Sequence, residues 1–368
     1  EPMSDSHRSG HILTPEGWVD GRIEFDSHVL AIEEGEVAAD APFIIPGFVD
    51  LHVPGGGGAD VMQGEAAVRT AAQLHAHHGT TSFLPATITA PEDELVKALA
   101  GIGKVQTARE SGEARVLGAH MEGPFINPAR LGAQPPFARD PDPAFVEVLA
   151  GEGVVKLVTL APETTGGLEM IRQLAQAGIV VQIGHSGADY ETACAALDAG
   201  ARGFTHLFNA MSPLRHRAPG VAGAALAHGE YAALIPDGIH VAPGAMKVAL
   251  RSIPKLFAVT DATAAAGMPD GEYPLGSHTV TKRDGGVFLD DDTLAGSALT
   301  MDRALVNLLD MGLSLDEASH RTSTYPADFI GRLDRGRVQV GAWADLVLLD
   351  AAHKLVEVFV EGEPVRQQ

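Results

Sequence analysis

Cysteine is nearly missing: Cys194 stands alone among 368 residues, so the chain can close no disulfide within itself. That usage fits a reducing compartment and sets a cytoplasmic expectation. Long apolar runs are missing too, and no stretch reaches the 18 apolar residues of a membrane span. Positive charge is scarce. Lys and Arg number 26 against 48 Asp and Glu, a net charge of −22. Nucleic acid and anionic membranes need a basic footprint, which this composition excludes. The opening residues EPMSDSHRSG lack the charged-then-apolar layout of a secretory signal. Glu1 and Pro2, ahead of Met3, read as an addition and are set aside. Internal repeats and low-complexity tracts are absent as well. Hydrophobic residues at 45% and charged residues at 20% exclude disorder as the main state.

What is present is a recurring unit: a short apolar run, a polar stop, then an Ala-rich helical pattern. Eight runs occupy residues 44–52, 81–87, 115–122, 154–163, 179–186, 203–210, 231–238 and 255–262. Helical periodicity covers 65–78, 91–110, 142–152, 167–177, 188–199 and 242–251, and is weak over 218–229. Continuous rather than alternating apolar runs mean strands covered on both faces. Eight such units predict an α/β fold, a (β/α)8 TIM-like barrel over residues 46–335. Residues 297–311 and 314–329 also read as helices. The flanks differ. Residues 1–45 and 336–368 carry short strand signals with Gly and Asp turns. They are expected to pair into one small β-sandwich domain, the simpler alternative being two separate β appendages.

The runs end in chemistry. The first ends in His52, the third in Glu122, the fifth in His185, the sixth in His206 and the eighth in Asp261. A parallel barrel brings all strand C-termini to one mouth, where such folds keep their active sites. One His after an apolar run is ordinarily a satisfied polar group. Five metal-capable residues at five of eight strand ends point instead to a divalent-metal site of the zinc or iron type. The cluster His75, His77, His78 ends a helix ahead of a strand, so it is expected on the opposite barrel face, with imidazolium favoured by the helix dipole.

The segments PGFVDLHVPGGGGAD, HMEGPFINPARLGA, GHSGA, THLFNAMSPLRHRAPG, DGIH, VTDAT, LAGSALTM and GAWADLVLLD follow one another along the chain. In that order they resemble the N-acetylglucosamine-6-phosphate deacetylase family of the amidohydrolase superfamily. The resemblance implies a metal-dependent hydrolase that removes the acetyl group of a phosphorylated amino sugar. It implies Glu122, His185 and His206 as ligands of one divalent metal, zinc before iron, and Asp261 as general base and acid. For the substrate it implies Ala133, Gln134, Asn209, Ala210, Arg217, His240, Leu294, Ala295 and Gly296. It also implies a homodimer.

Two positions depart from that pattern. Many amidohydrolases carry His-x-His after the first strand, whereas this chain has His52, Val53, Pro54. Proline cannot ligate, so a full two-metal site is not expected, and His52 is left for a weak second ion or a hydrogen bond. Lys156 begins its run, so it offers no bridging lysine at the mouth. Gln134 stands where the family has a His, and its amide can donate but not carry a proton. Three alternatives follow: a deacetylase of the galacto epimer, a metal amidohydrolase for a cyclic amide or nucleobase, or a phosphosugar binder without catalysis. Arg217 and His240 oppose the second, since those substrates carry no phosphate. Glu122, His185, His206 and Asp261 oppose the third.

Overall fold

A computed structural model describes residues 6–151 and 153–366. Glu1 and Pro2 lie outside them. The apolar runs form strands buried on both faces; all eight residues of Thr80–Thr87 are buried. The barrel strands in chain order are Phe48–Val53, Thr80–Thr87, Ala119–Glu122, Val155–Leu160, Val180–Ile183, Gly203–Phe204, Tyr231–Leu234 and Lys255–Ala258. The first six form one curled parallel sheet, while the seventh and eighth pair only with each other. Loops and side chains bridge the two gaps. The Leu207 amide donates to the Ala233 carbonyl at 2.7 Å, and the Asp261 amide to that of His52 at 2.9 Å. The Thr260 hydroxyl donates to buried Asp50 at 2.6 Å, tying strand one to the end of strand eight.

Helices cover the outside. In Gly167–Gln176 the buried face is Met170, Ile171 and Leu174, the i, i+1, i+4 set of one helical stripe. The weak sixth pattern does form a helix, Gly220–His228, so a helix follows each barrel strand; in the first unit a short hairpin, Gly55–Gly56 with Ala59–Asp60, precedes it. The core is continuous, with Phe83, Phe204 and Phe257 fully buried. Truncating any one to Ala is expected to cost about 3–5 kcal/mol.

Both chain ends join one seven-stranded sheet, whose neighbours run Glu363–Pro364, Leu355–Val360, Leu346–Leu349, Phe43–Pro46, Ser6–Thr14, Gly17–Phe25, Val29–Glu34. It has its own core of Ile12, Ile23, Phe25, Ile44, Leu346 and Phe359. Buried charges clamp it to the barrel. Arg335 pairs with Asp345 at 2.7 Å and Glu361 at 2.6 Å, while Arg115 reaches Glu361 at 2.6 Å.

Two features were not expected. A three-stranded antiparallel sheet, Gly271–Leu275, His278–Arg283 and Gly286–Phe288, is inserted between strand eight and its helix Met301–Asp310. It packs Leu275, Val280 and Val287 on Ile88 beside the barrel mouth. The stretch 314–329 is two short helices joined by a π turn, His320–Thr324. Pro326 follows and has no N–H for an α-helical bond.

Candidate active site

Glu122, His185, His206, His52 and Asp261 meet at the mouth, as the strand ends predict. One carboxylate oxygen of Glu122 lies 2.9 Å from His185 Nε2 and 3.1 Å from His206 Nε2, and the two ring nitrogens are 3.2 Å apart. The other oxygen lies 3.0 Å from His52 Nε2, which is 3.3 Å from Asp261 Oδ1. His185, His206 and Asp261 sit at φ of 48°, 28° and 50°. Left-handed backbone in non-glycine residues costs of the order of 1–3 kcal/mol and recurs at functional sites. Here it turns each side chain over the mouth directly after its strand.

The donor set calls for a cation. His185 Nδ1 faces the Arg130 carbonyl at 2.8 Å, so that nitrogen carries the proton. Nε2 then presents a lone pair to a carboxylate oxygen and to a second imidazole. Such an arrangement repels unless a proton or a metal ion sits among the three atoms. Two imidazoles and one carboxylate suit zinc or iron, so the residues fit the metal that the strand ends imply. His52, Glu122 and Asp261 form a second, adjoining group.

The charges shift one another. Burial works to raise the Glu122 carboxyl, but His52 and the hydrogen bonds with His185 and His206 outweigh it and hold it well below the usual range. Burial pulls His52 down, yet Asp261 and Glu122 lift it to about 9. Asp261 is pushed up by burial and the Glu122 charge, against the attraction of His52. A carboxylate so raised is a better base.

A cleft of about 360 Å³ opens over these groups. Of the residues that the resemblance implies for the substrate, Ala133, Gln134, Asn209, Ala210, His240, Leu294 and Gly296 line this cleft. Ala295 does not; it is fully buried, its amide on the Val287 carbonyl at 2.9 Å. Arg217 is also outside the lining. It lies exposed with Arg215 and His216 on a surface turn, and none of the three has an ion-pair partner among the described residues.

Gln134 is aimed. Its Oε1 accepts the Thr89 amide at 2.7 Å, and a backbone N–H can face only the carbonyl oxygen of the side chain. Its nitrogen therefore donates to Glu122 at 2.9 Å and keeps one N–H over. His240 is aimed too. Asp237 takes the His240 Nδ1 proton at 2.6 Å and the backbone amides of Ile239 and His240 at 2.8 Å. That leaves Nε2 for the cleft.

Several contributors escaped sequence reasoning. Asp237 could have been found, since Asp-Gly-x-His places an Asx turn three residues before the His. Ile88 and Leu275, which line the cleft, and Thr89, which holds Gln134 from behind it, carry no signal, because only folding brings them there. The His75 expectation needs correcting. His75 is fully buried, its Nε2 on the Gly55 carbonyl at 2.9 Å, and burial lowers it to about 4, so it is neutral rather than a helix-dipole imidazolium. A Cβ on Gly56 would come within 2.8 Å of that nitrogen, which is why glycine stands there. His78 does meet an anion, Asp302, at 3.0 Å.

Comparison with known proteins supplies a context. Residues 43–366 match the amidohydrolase family. An N-acetylglucosamine-6-phosphate deacetylase of Bacillus subtilis (strain 168) is 39% identical, over 90% of this chain and 86% of that protein. An N-acetylgalactosamine-6-phosphate deacetylase of Escherichia coli O157:H7 is 36% identical, over 98% and 99%. The solved N-acetyl-D-glucosamine-6-phosphate deacetylase of Mycobacterium smegmatis, a mutant in complex with N-acetyl-D-glucosamine-6-phosphate, superposes with a TM-score of 0.91 at 34% identity, covering 98% and 99%.

Proposed function

Because the chain belongs to the amidohydrolase family, we propose that it hydrolyses the N-acetyl group of N-acetyl-D-glucosamine 6-phosphate to D-glucosamine 6-phosphate and acetate. The observation that carries this reading is the meeting of Glu122, His185, His206 and Asp261 in one cleft with His240 and Gln134 on its walls. Glu122, His185 and His206 hold one divalent ion, zinc before iron. When bound, that ion supplies Lewis acidity, which makes a water a far stronger acid at neutral pH.

The chain's own groups do the rest. Asp261 takes the proton of the attacking water as its oxygen joins the acetyl carbonyl carbon. The remaining N–H of Gln134 donates to the acetyl oxygen as negative charge builds there. Asp261 then returns the proton to the amide nitrogen, and the C–N bond breaks to release an amine. Without that return the leaving group would be an amide anion, which is too basic to depart. His52 bridges Glu122 and Asp261 and holds the two carboxylates in register.

His240 Nε2, the Asn209 and Ala210 backbone and Arg217 bind the phosphate, Arg through its two-pronged fork. Arg217 lies outside its own chain's cleft, on a turn that also exposes Leu214 at 53%. An unpaired cation beside an exposed apolar side chain is what a second copy would bury, and Arg217 then completes the neighbouring cleft of a homodimer. No helix is long and apolar enough to cross a membrane among the described residues. The reading places the enzyme in the cytoplasm.

Acetate release from N-acetylglucosamine 6-phosphate, its galacto epimer and the unphosphorylated sugar tests the reading, with metal content measured on the same protein. Chelator-sensitive release, fastest on the gluco phosphate, is expected. Faster release from the galacto phosphate reassigns the substrate. Binding of the sugar phosphate with no acetate from any metal-supplemented sample removes the enzyme reading.

A further inference from the structure

His120 sits two residues before Glu122 on barrel strand three, is fully buried, and has no part in the chemistry above. Both its nitrogens are engaged. Nδ1 lies 3.0 Å from the Leu51 carbonyl, and Nε2 lies 2.7 Å from the Thr159 hydroxyl. It therefore cannot ligate a metal or touch substrate. A carbonyl oxygen only accepts, so Nδ1 carries the proton and Nε2 accepts from Thr159. Thr159 in turn lies 2.7 Å from the hydroxyl of Thr205, the residue before His206.

The Leu51 carbonyl needs this donor for a reason in the sheet. Strand one pairs Asp50 with Phe83 and then Val53 with Pro85. Three steps on one strand oppose two on the other, so one extra residue bulges out at Leu51–His52. Pro85 also removes one N–H from the facing strand. A bulge re-aims side chains and leaves backbone groups unpaired, and a buried unpaired carbonyl is costly. His120 satisfies the carbonyl just before His52. The next carbonyl, that of His52, accepts the Asp261 amide at 2.9 Å. The His120 ring also packs edge-on against the His52 ring, centroids 4.5 Å apart.

We infer that His120 is a positioning residue: through the Leu51 carbonyl it fixes the bulge at His52, and through His52 it sets where Asp261 stands relative to Glu122. The inference rests on the proposed function for its catalytic consequence and on the bulge alone for its geometry. Loss of such a supporting contact typically costs 10- to 100-fold in activity. Substituting Phe keeps the packing and removes both hydrogen bonds. Substituting Asn returns an amide N–H near the Nδ1 position, and substituting Gln returns one near Nε2.

The test compares H120F, H120N and H120Q with the parent for kcat, KM and metal content. H120F is expected to lose about 10- to 100-fold in kcat with KM within about threefold and metal content unchanged. H120N is expected to recover most of that loss, and H120Q little. Equal kcat in H120N and H120Q overturns the inference, as does H120F within twofold of the parent, or a loss that appears in KM. If H120F does not fold, the H120N to H120Q ratio decides. A second measurement is independent of turnover. Imidazole nitrogen NMR on histidine-labelled protein is expected to show, beside the Nδ1–H rings of His185 and His240, a further neutral Nδ1–H ring that disappears in H120N. An Nε2–H ring at that position overturns the geometry even in a protein that releases no acetate. A protein with the Nδ1–H ring and no acetate release instead refutes the proposed function.

Discussion

Asp261→Asn isolates the proposed proton shuttle from everything around it. The backbone of residue 261 is held on both sides: its amide donates to the His52 carbonyl at 2.9 Å, and its carbonyl accepts from the Ser297 amide at 2.8 Å. The side chain is nearly isosteric, so the change removes charge and basicity while leaving the loop in place. General base and general acid roles are each worth about 10²- to 10⁴-fold. An amide serves neither, so kcat is expected to fall by at least about 10³-fold, or about 4 kcal/mol in barrier. KM stays within about threefold, since the phosphate-binding groups are elsewhere. Metal content stays at the parent level, because Glu122, His185 and His206 keep their mutual contacts. In the metal-free protein His52 also loses its largest raising partner and titrates below its present value of about 9. Continuous acetate detection at saturating substrate, with elemental analysis of the same preparation, reads all of this. A kcat within tenfold of the parent would refute the assignment of Asp261. Parallel loss of metal and activity would show that the residue works as a ligand instead.

Glu122→Gln removes the only anion among the three proposed ligands and is expected to leave protein with little bound metal by elemental analysis and no measurable acetate release. Arg217→Ala should raise KM for the phosphorylated sugar by about 10-fold or more while sparing the unphosphorylated one, and equal loss on both sugars would make Arg217 structural. Gln134→His can accept from Thr89 at one ring nitrogen and donate with the other, so a rise in kcat of up to about tenfold is expected, and a fall would mean the pocket is built around the amide. His75 titrates at about 4 when folded and near 6.5 when unfolded. Its contribution to stability is therefore complete above about pH 6.5 and declines as pH falls toward 4, by about 3 kcal/mol in all. Urea midpoints between pH 7 and 4.5 check this, and His75→Gln should flatten the slope.

Eight apolar runs with polar ends were enough to read a parallel barrel and the convergence of His52, Glu122, His185, His206 and Asp261. That part is legible because strands buried on both faces leave an uninterrupted apolar signature, and because a parallel barrel sends every strand end to one side. The sheet at residues 271–288 was missed: its alternation is short, and an insertion breaks the repeat that made the rest readable. At His75 a charge at the helix end is a surface expectation, while burial against Gly55 is decided by how the hairpin of Gly55–Gly56 and Ala59–Asp60 folds back. Residue identity determined which groups could bind a metal or carry a proton. Only the tertiary structure decided which nitrogen of His185 bears the proton, which way the Gln134 amide faces, why the Leu51 carbonyl needs His120, and that Arg217 lies away from its own cleft. Each depends on a hydrogen bond or an exposure set by residues distant along the chain, and a linear sequence encodes composition and period but not the direction of such a bond.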